Sequence, residues 1–361
     1  MMYPNLRKYG LTEQFEQEAS DYEGLFVARV SQQHRELYRV IGERGELNAV
    51  VSGKLAYRAD GPLAFPAVGD FVMIDRQDAN NGSAVVHRVL RRKSVFTRKA
   101  AGTANEEQVI AANIDTVFIC MSLNADFNLR RAERYLAIAW DSQAKPVIIL
   151  TKSDLCDDLE LERKLDEISS VAPGVDVAVC SSENADGLDA VKTYIPHGET
   201  IAFIGSSGVG KSTLINRLLG EDVLATMQIR GSDDKGRHTT THRQLILLPN
   251  GGIVIDTPGM RELSLYTGDL SKTFEDIEEL SRQCKYNDCS HTSEPGCAVR
   301  RAIESGALSG KRFENYLKLQ REIAYDGLNS RQLENEKINR MFASKAEMKQ
   351  VFKQIKGKKR S

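Results

Sequence analysis

Long apolar runs are missing: no stretch of about 18 uninterrupted apolar residues occurs, so no membrane-spanning helix is expected. The opening MMYPNLRKYGLTEQFEQEAS has no apolar core ahead of its first acids, and a soluble, unexported, cytoplasmic chain follows as the expectation. Cysteine is scarce, six residues in 361, too few for a disulfide scaffold. No charge dominates either. With 49 basic against 50 acidic side chains the net charge is -1, so no global field argues for nucleic acid or membrane. Internal repeats and long low-complexity linkers are absent too. What remains is an ordinary globular composition, 41% hydrophobic, long enough for two to three domains at roughly 150 residues each.

The near-zero charge hides asymmetry. From Ala79 to Asn105 there are Arg88, Arg91, Arg92, Lys93, Arg98 and Lys99 and not one acid, and the last seventeen residues, from Lys345, hold seven Lys or Arg and one Glu. Acid-rich stretches at Asp154 to Glu167 and Asp269 to Glu279 offset them. Such basic segments suit phosphate contacts with RNA.

Five short β-like runs start at Gly24, Glu36, Gly45, Gly69 and Ala84, β-branched and bounded by Gly, Pro, Asn and Asp. They predict a small OB-like barrel over about 22 to 98, though an SH3-like barrel would fit the same pattern. From Asp115 strands alternate with helices, as in a doubly wound sheet. The strand DTVFICM, helical spacing from Leu129 to Trp140, and the strand PVIILT make the first βαβ unit. A helix around 159–171, VDVAVC, a short helix from Gly187, TIAFIG, a helix from Gly210, and the pair QLILL and GIVID follow, the last two read as a hairpin edge. Beyond Gly268 only helical pieces are expected. The fold class is therefore multidomain: an OB-like barrel over 1–100, an α/β P-loop domain over 101–268, and a mainly α, metal-binding module with a basic tail over 269–361.

Gly205-Ser206-Ser207-Gly208-Val209-Gly210-Lys211-Ser212-Thr213 lies directly between a strand and a helix. Glycines there let backbone N–H groups and a helix N-terminus point at phosphate oxygens. Lys211 would add charge at the β/γ-phosphates, and the Ser212 hydroxyl would ligate magnesium. Asp256-Thr257-Pro258-Gly259 follows the apolar strand GIVI; Asp256 would hold Mg²⁺, and the Gly259 N–H would sense the γ-phosphate. Thr151-Lys152-Ser153-Asp154 follows PVIIL. A carboxylate there accepts two hydrogen bonds from guanine, N1–H and the 2-amino group, which adenine cannot offer. Ser181 and Ser182 follow the next strand, where a backbone N–H would meet the guanine oxygen. These base-reading elements precede the P-loop, the reverse of the ordinary Ras-like order, so the domain reads as circularly permuted. The segment after Gly259 then leads straight into the C-terminal module, a route by which nucleotide state would be relayed.

Switch I is expected within Arg230 to Arg243, with Thr240 completing the magnesium shell and Thr239 and Thr241 as alternatives. Met260 stands where Ras-like enzymes carry the water-orienting glutamine, so intrinsic hydrolysis is expected to be slow, with His238 or a partner supplying the missing group. Cys284-x4-Cys289-x-His291-x5-Cys297 offers three thiolates and one imidazole within fourteen residues. Structural Zn²⁺ wants four such ligands, whereas a disulfide would leave one cysteine over. Cys120, Cys156 and Cys180 read as small core residues.

A barrel, then T-K-S-D, G-S-S-G-V-G-K-S-T, G-R-H-T-T-T and D-T-P-G in permuted order, then C-x4-C-x-H-x5-C, resembles the bacterial ribosome small subunit-dependent GTPase A family over nearly the whole chain. Thr151 departs from the Asn of many members, and Ser182 from the usual Ala. The resemblance implies a monomeric, cytoplasmic GTPase with one structural zinc and with magnesium on its bound GTP. It implies binding to the small ribosomal subunit and its 16S rRNA late in maturation, and hydrolysis stimulated by that subunit. Two other functions stay in view: a nucleotide-gated RNA-binding scaffold in which hydrolysis is incidental, and a P-loop hydrolase of ATP on an unrelated substrate, which Asp154 disfavours.

Overall fold

The computed structural model describes residues 3–34, 37–78, 82–99, 107–124, 126–220, 243–256, 263–265 and 268–325. Thr239, Thr240, Thr241, His238, Thr257, Pro258, Gly259, Met260 and the basic run from Lys345 lie outside them.

All five expected barrel strands form: β1 (Phe26–His34), β2 (Leu37–Gly42), β3 (Gly45–Val51), β4 (Phe71–Ile74) and β5 (Ala84–Val89). The order β1-β2-β3-β5-β4 closes through a β1–β4 pairing in which Phe26 meets Ile74. β3 and β5 run parallel, Ala49 beside Ala84, and the helix α3 (Gly53–Arg58) sits between β3 and β4, capped by the Ser52 hydroxyl, which accepts from the Leu55 N–H at 3.1 Å. That order and helix position are those of an OB fold, which removes the SH3-like alternative. Val30, Val40, Leu47, Ala49, Val72 and Val86 fill the interior, each alternating with outward residues as strand geometry demands.

The α/β sheet runs β10 (Asp176–Val179), β9 (Lys145–Thr151), β8 (Thr116–Ser122), β11 (Thr200–Ile204), β13 (Ile253–Asp256) and β12 (Gln244–Leu247). The first five are parallel, and β12 is the antiparallel partner expected of the hairpin, though not a free edge, since its other side meets β1. β8 and β9 are buried on both faces. Val117, Ile119 and Ile148 point to the side of α4 (Leu129–Asp141) and α5 (Asp158–Val171). Phe118, Cys120 and Ile149 point to that of α6 (Leu188–Lys192) and α7 (Lys211–Leu219). Cys120 and Cys180 are buried small core residues, and Cys156 is half-buried. Chain direction reverses its lateral course between β8 and β11, the place where a crevice opens at the strands' carboxyl ends.

Several elements were not anticipated. Two N-terminal helices, α1 (Pro4–Lys8) and α2 (Glu13–Ser20), pack on the barrel, with Phe15 4.4 Å from the Phe71 ring. A three-stranded sheet joins β6 (Val95–Lys99), β7 (Glu107–Ala112) and β14 (Leu263–Ser264). β12 also bridges to β1, Gln32 beside Gln244, so barrel and α/β sheet are continuous. Buried Arg29 ties the units together, donating to Tyr9 O, Gly69 O, Asn113 O and Thr200 Oγ1; burial pulls its pKa down to about 10. The basic stretch before residue 105 is partly structural. Arg92 pairs with buried Asp70 at 2.7 Å and Lys93 pairs with Asp115, which leaves Arg88 and Arg91 exposed.

Past residue 268 come α8 (Glu275–Arg282), α9 (Ala298–Glu304) and α10 (Gly310–Tyr325), the cysteine-bearing loop lying between the first two. Arg312 of α10 reaches Glu133 of α4 at 2.9 Å and Asp276 of α8 at 2.8 Å. No described helix is long and apolar enough to cross a membrane.

Candidate functional site

Thr151 to Asp154 leave the end of β9, Ser181 and Ser182 follow β10, Gly205 to Thr213 join β11 to α7, and Asp256 ends β13. Since these strands are parallel neighbours, all four segments meet at one edge of the sheet, despite the permuted order. Gly205 takes φ 149°, and a Cβ there would lie 2.5 Å from the Cys120 carbonyl oxygen; only glycine allows the loop to turn this close to β8. Gly210, at φ 98°, is the N-cap of α7. Ser207, Gly208, Ser212 and Thr213 are exposed, while Val209 is buried and anchors the loop. The Lys211 ammonium donates to the carbonyls of Gly205 at 2.7 Å and Ser206 at 2.6 Å.

The base-reading loops are tied to the P-loop by hydrogen bonds. Buried Thr151 donates to the Val209 carbonyl at 2.6 Å and lies 3.2 Å from that of Met121. Its hydroxyl thus braces the P-loop from the first position of the T-K-S-D segment. Ser181 donates to Asp154 Oδ1 at 2.5 Å, fixing the carboxylate's plane, and the Ser153 N–H reaches the Cys180 carbonyl at 3.3 Å. Arg217, on the P-loop helix, donates to the Ser182 carbonyl at 2.9 Å. Asp256 is pushed above the ordinary carboxylate range by burial, against which the nearby Lys211 charge acts. A divalent cation at that carboxylate would remove the penalty.

Asp126 and Arg131 carry no motif and were missed. Arg131 donates to Asp126 Oδ1 and to Ser206 Oγ, both at 2.7 Å, and Ser206 bonds the other Asp126 oxygen. The only sequence cue was Asn128, which caps α4 by accepting from the Arg131 N–H at 3.1 Å.

The second cluster lies in the loop between α8 and α9. The ligand atoms of Cys284, Cys289, His291 and Cys297 all lie within 4.8 Å of one another. Cys284 and Cys297 sulfurs are 3.9 Å apart, and His291 Nδ1 is 3.6 Å and 3.5 Å from them. A tetrahedral ion with metal–sulfur bonds near 2.3 Å requires sulfur–sulfur edges of about 3.8 Å, so the donor set fits a metal. His291 Nε2 lies 3.2 Å from Ser281 Oγ, which orients the ring and leaves Nδ1 to face the sulfurs. The left-handed conformation of His291, φ 59°, turns the imidazole back toward Cys284.

The fold and these loops define a circularly permuted P-loop GTPase domain between an OB barrel and a Cys/His module. An RsgA GTPase family model matches residues 89–266. An ABC transporter model also matches, over 188–359, a span containing the strand–P-loop–helix unit that phosphate-binding folds share. The chain is 56% identical over 347 residues to "Small ribosomal subunit biogenesis GTPase RsgA 2" of Lactiplantibacillus plantarum, covering 96% of this chain and 97% of that one. It is 47% identical to RsgA 1 of Listeria innocua, over 89% and 90% of the two chains. The crystal structure of YjeQ from Thermotoga maritima superposes with TM-score 0.61 at 27% identity, over 84% of this chain and all of that one. YloQ, described as a circularly permuted GTPase, gives 0.59 at 24% identity, over 85% and 98%. This chain belongs to the RsgA GTPase family and is a GTP hydrolase.

Proposed function

We propose that this GTPase binds the small ribosomal subunit and its 16S rRNA late in maturation, and that subunit-stimulated hydrolysis of GTP to GDP and phosphate times its release. The observation that carries this reading is the identity of 56% across 96% of the chain to a relative named for that process. The site supports its chemistry. Asp154, with Thr151, Lys152, Ser153, Ser181 and Ser182, would read guanine; Gly205, Ser206, Ser207, Gly208, Val209, Gly210, Lys211 and Thr213 would cradle the phosphates; and Gly259 would sense the γ-phosphate. Ser212, Asp256 and Thr240 would ligate Mg²⁺, which supplies charge neutralisation at the β/γ oxygens. His238 would orient the attacking water in place of a glutamine.

Zn²⁺ on Cys284, Cys289, His291 and Cys297 would staple the C-terminal module, since three thiolates and one imidazole form a closed structural donor set. Arg88 and Arg91, exposed on the barrel, would meet RNA phosphates together with the tail from Lys345. The working units are 1–100, 101–268 and 269–361, in a cytoplasmic monomer. Co-sedimentation with purified small subunits tests the cycle. The reading expects the protein in the subunit pellet with a non-hydrolysable GTP analogue and its release with GDP; equal pelleting with both nucleotides would favour an RNA-binding scaffold whose hydrolysis is incidental.

A further inference from the structure

Two cations converge on one P-loop residue. Lys211 donates to the Ser206 carbonyl at 2.6 Å and Arg131 to the Ser206 hydroxyl at 2.7 Å, which holds the two charges within about 10 Å of each other by residue dimensions. A triphosphate lying along the loop spans that distance. The G-x4-G-K-[ST] pattern demands Lys211 but says nothing of Arg131, which enters from the first turn of α4 beside β8. Its position is built. The Asn128 side chain caps the helix, Asn124 Oδ1 accepts from both Ser122 Oγ at 2.8 Å and the Asp126 N–H at 3.0 Å, and Asp126 then holds the guanidinium. Arg131 and Asp126 side chains keep 29% and 33% of their exposure, so the guanidinium is held at the surface of the loop and not sealed inside it.

We propose that Arg131 is a catalytic arginine supplied in cis: Asp126 and Ser206 hold it at the P-loop, and it turns from them to the β–γ bridging and β-phosphate oxygens as GTP is hydrolysed. In that step a water oxygen bonds to the γ-phosphorus while the bond to the β–γ bridging oxygen breaks. GDP keeps the bridging oxygen and its electron pair, and the water's protons pass to phosphate and solvent. Negative charge grows on the bridging and β oxygens, where a planar guanidinium with two forked donors neutralises it better than a point charge. This supplies in the same chain what other GTPases take from an arginine finger. The carboxylate of Asp126 keeps the cation in reserve: burial works against its charge, yet the Ser206 hydroxyl and Arg131, with Lys152 nearby, hold Asp126 below its ordinary range.

Single-turnover GTP hydrolysis and fluorescent-GDP binding, with and without aluminium fluoride, separate a catalytic arginine from a loop brace. Arg131→Ala should keep GDP affinity near wild type, slow hydrolysis about 10²-fold, and lose the tightening of GDP that aluminium fluoride gives by mimicking the phosphoryl group in flight. Arg131→Lys should recover only part of the rate. Asp126→Asn, which unties the guanidinium, should raise kcat/KM. Equal slowing by Arg131→Ala and Asp126→Asn would overturn the proposal, because the pair would then merely pin Ser206; so would an Arg131→Ala protein that hydrolyses at the wild-type rate or loses GDP binding along with hydrolysis. An unchanged thermal unfolding transition in each variant shows that the chain has folded.

Discussion

Arg312→Ala should loosen the C-terminal module from the GTPase domain, and the structure sets the size of the effect. Glu133 is wholly buried on α4 and receives Arg312 Nη1 at 2.9 Å, Asn315 Nδ2 at 2.6 Å and Arg130 Nη1 at 2.9 Å. Arg312 also forks onto Asp276 through two 2.8 Å bonds, donates to the Thr273 carbonyl, and lies 4.8 Å over the Phe274 ring. Truncating it strands a buried carboxylate, for which the usual cost is 3–5 kcal/mol. Glu133 would retain Arg130 and Asn315, so the lower end applies, about 3 kcal/mol. For a unit of 150–250 residues that corresponds to a Tm lower by about 6–12 °C. The assay is built in. Trp140 is the sole tryptophan, sits on α4, and lies 5.0 Å beneath Lys272 of the C-terminal module, so its fluorescence follows this interface. Glu133→Gln combined with Arg312→Met, which removes both charges, should recover about 1–3 kcal/mol relative to additivity. A thermal transition of Arg312→Ala within about 1 °C of wild type, or strict additivity in the cycle, would refute the reasoning.

Asp154→Asn should weaken guanine nucleotides by about 1.5–3 kcal/mol, the worth of hydrogen bonds to a charged group, and shift preference to xanthosine nucleotides, whose 2-oxo group accepts from the new amide; competition binding reads both. Chelation should expose Cys284, Cys289 and Cys297 to a thiol reagent and lower the unfolding temperature, while Cys120 and Cys180, whose thiols burial pushes up to about 12 and about 11, stay unreactive until the fold opens. Asp256 has a folded pKa above its unfolded value. Its neutral form is therefore favoured on folding, and the stability it contributes is present below the unfolded pKa and lost as pH rises through the folded one. Asp256→Asn should accordingly raise the nucleotide-free Tm at pH 7 and flatten its pH dependence on the acid side, while magnesium-dependent hydrolysis collapses; a lowered Tm would contradict this.

What could be read from residues alone was whatever the chain keeps local. The five barrel strands, the continuous apolar runs of β8 and β9, and the strand–loop–helix around Gly205 each fit within about twenty residues, and so does the Cys284 to Cys297 spacing. OB against SH3 could not be decided, because the deciding pairings, β1 with β4 and β3 with β5, join residues distant in sequence. β14 was invisible for a similar reason: two residues long, it acquires strand character only by lying against Thr97 and Arg98. Arg92 and Lys93 looked like RNA contacts, and Asp70 and Asp115 became visible as their partners only once the chain had folded. Arg131 and Asp126 belong to no spacing rule, and only the approach of α4 to Ser206 gives them meaning.

The central claim is tested most directly by turnover of GTP and of ATP, each with and without purified small ribosomal subunits. The account predicts slow hydrolysis of GTP by the free protein, strong stimulation by the subunits, and no comparable turnover of ATP; a preference for ATP, or a GTP rate that subunits leave unchanged, would contradict it.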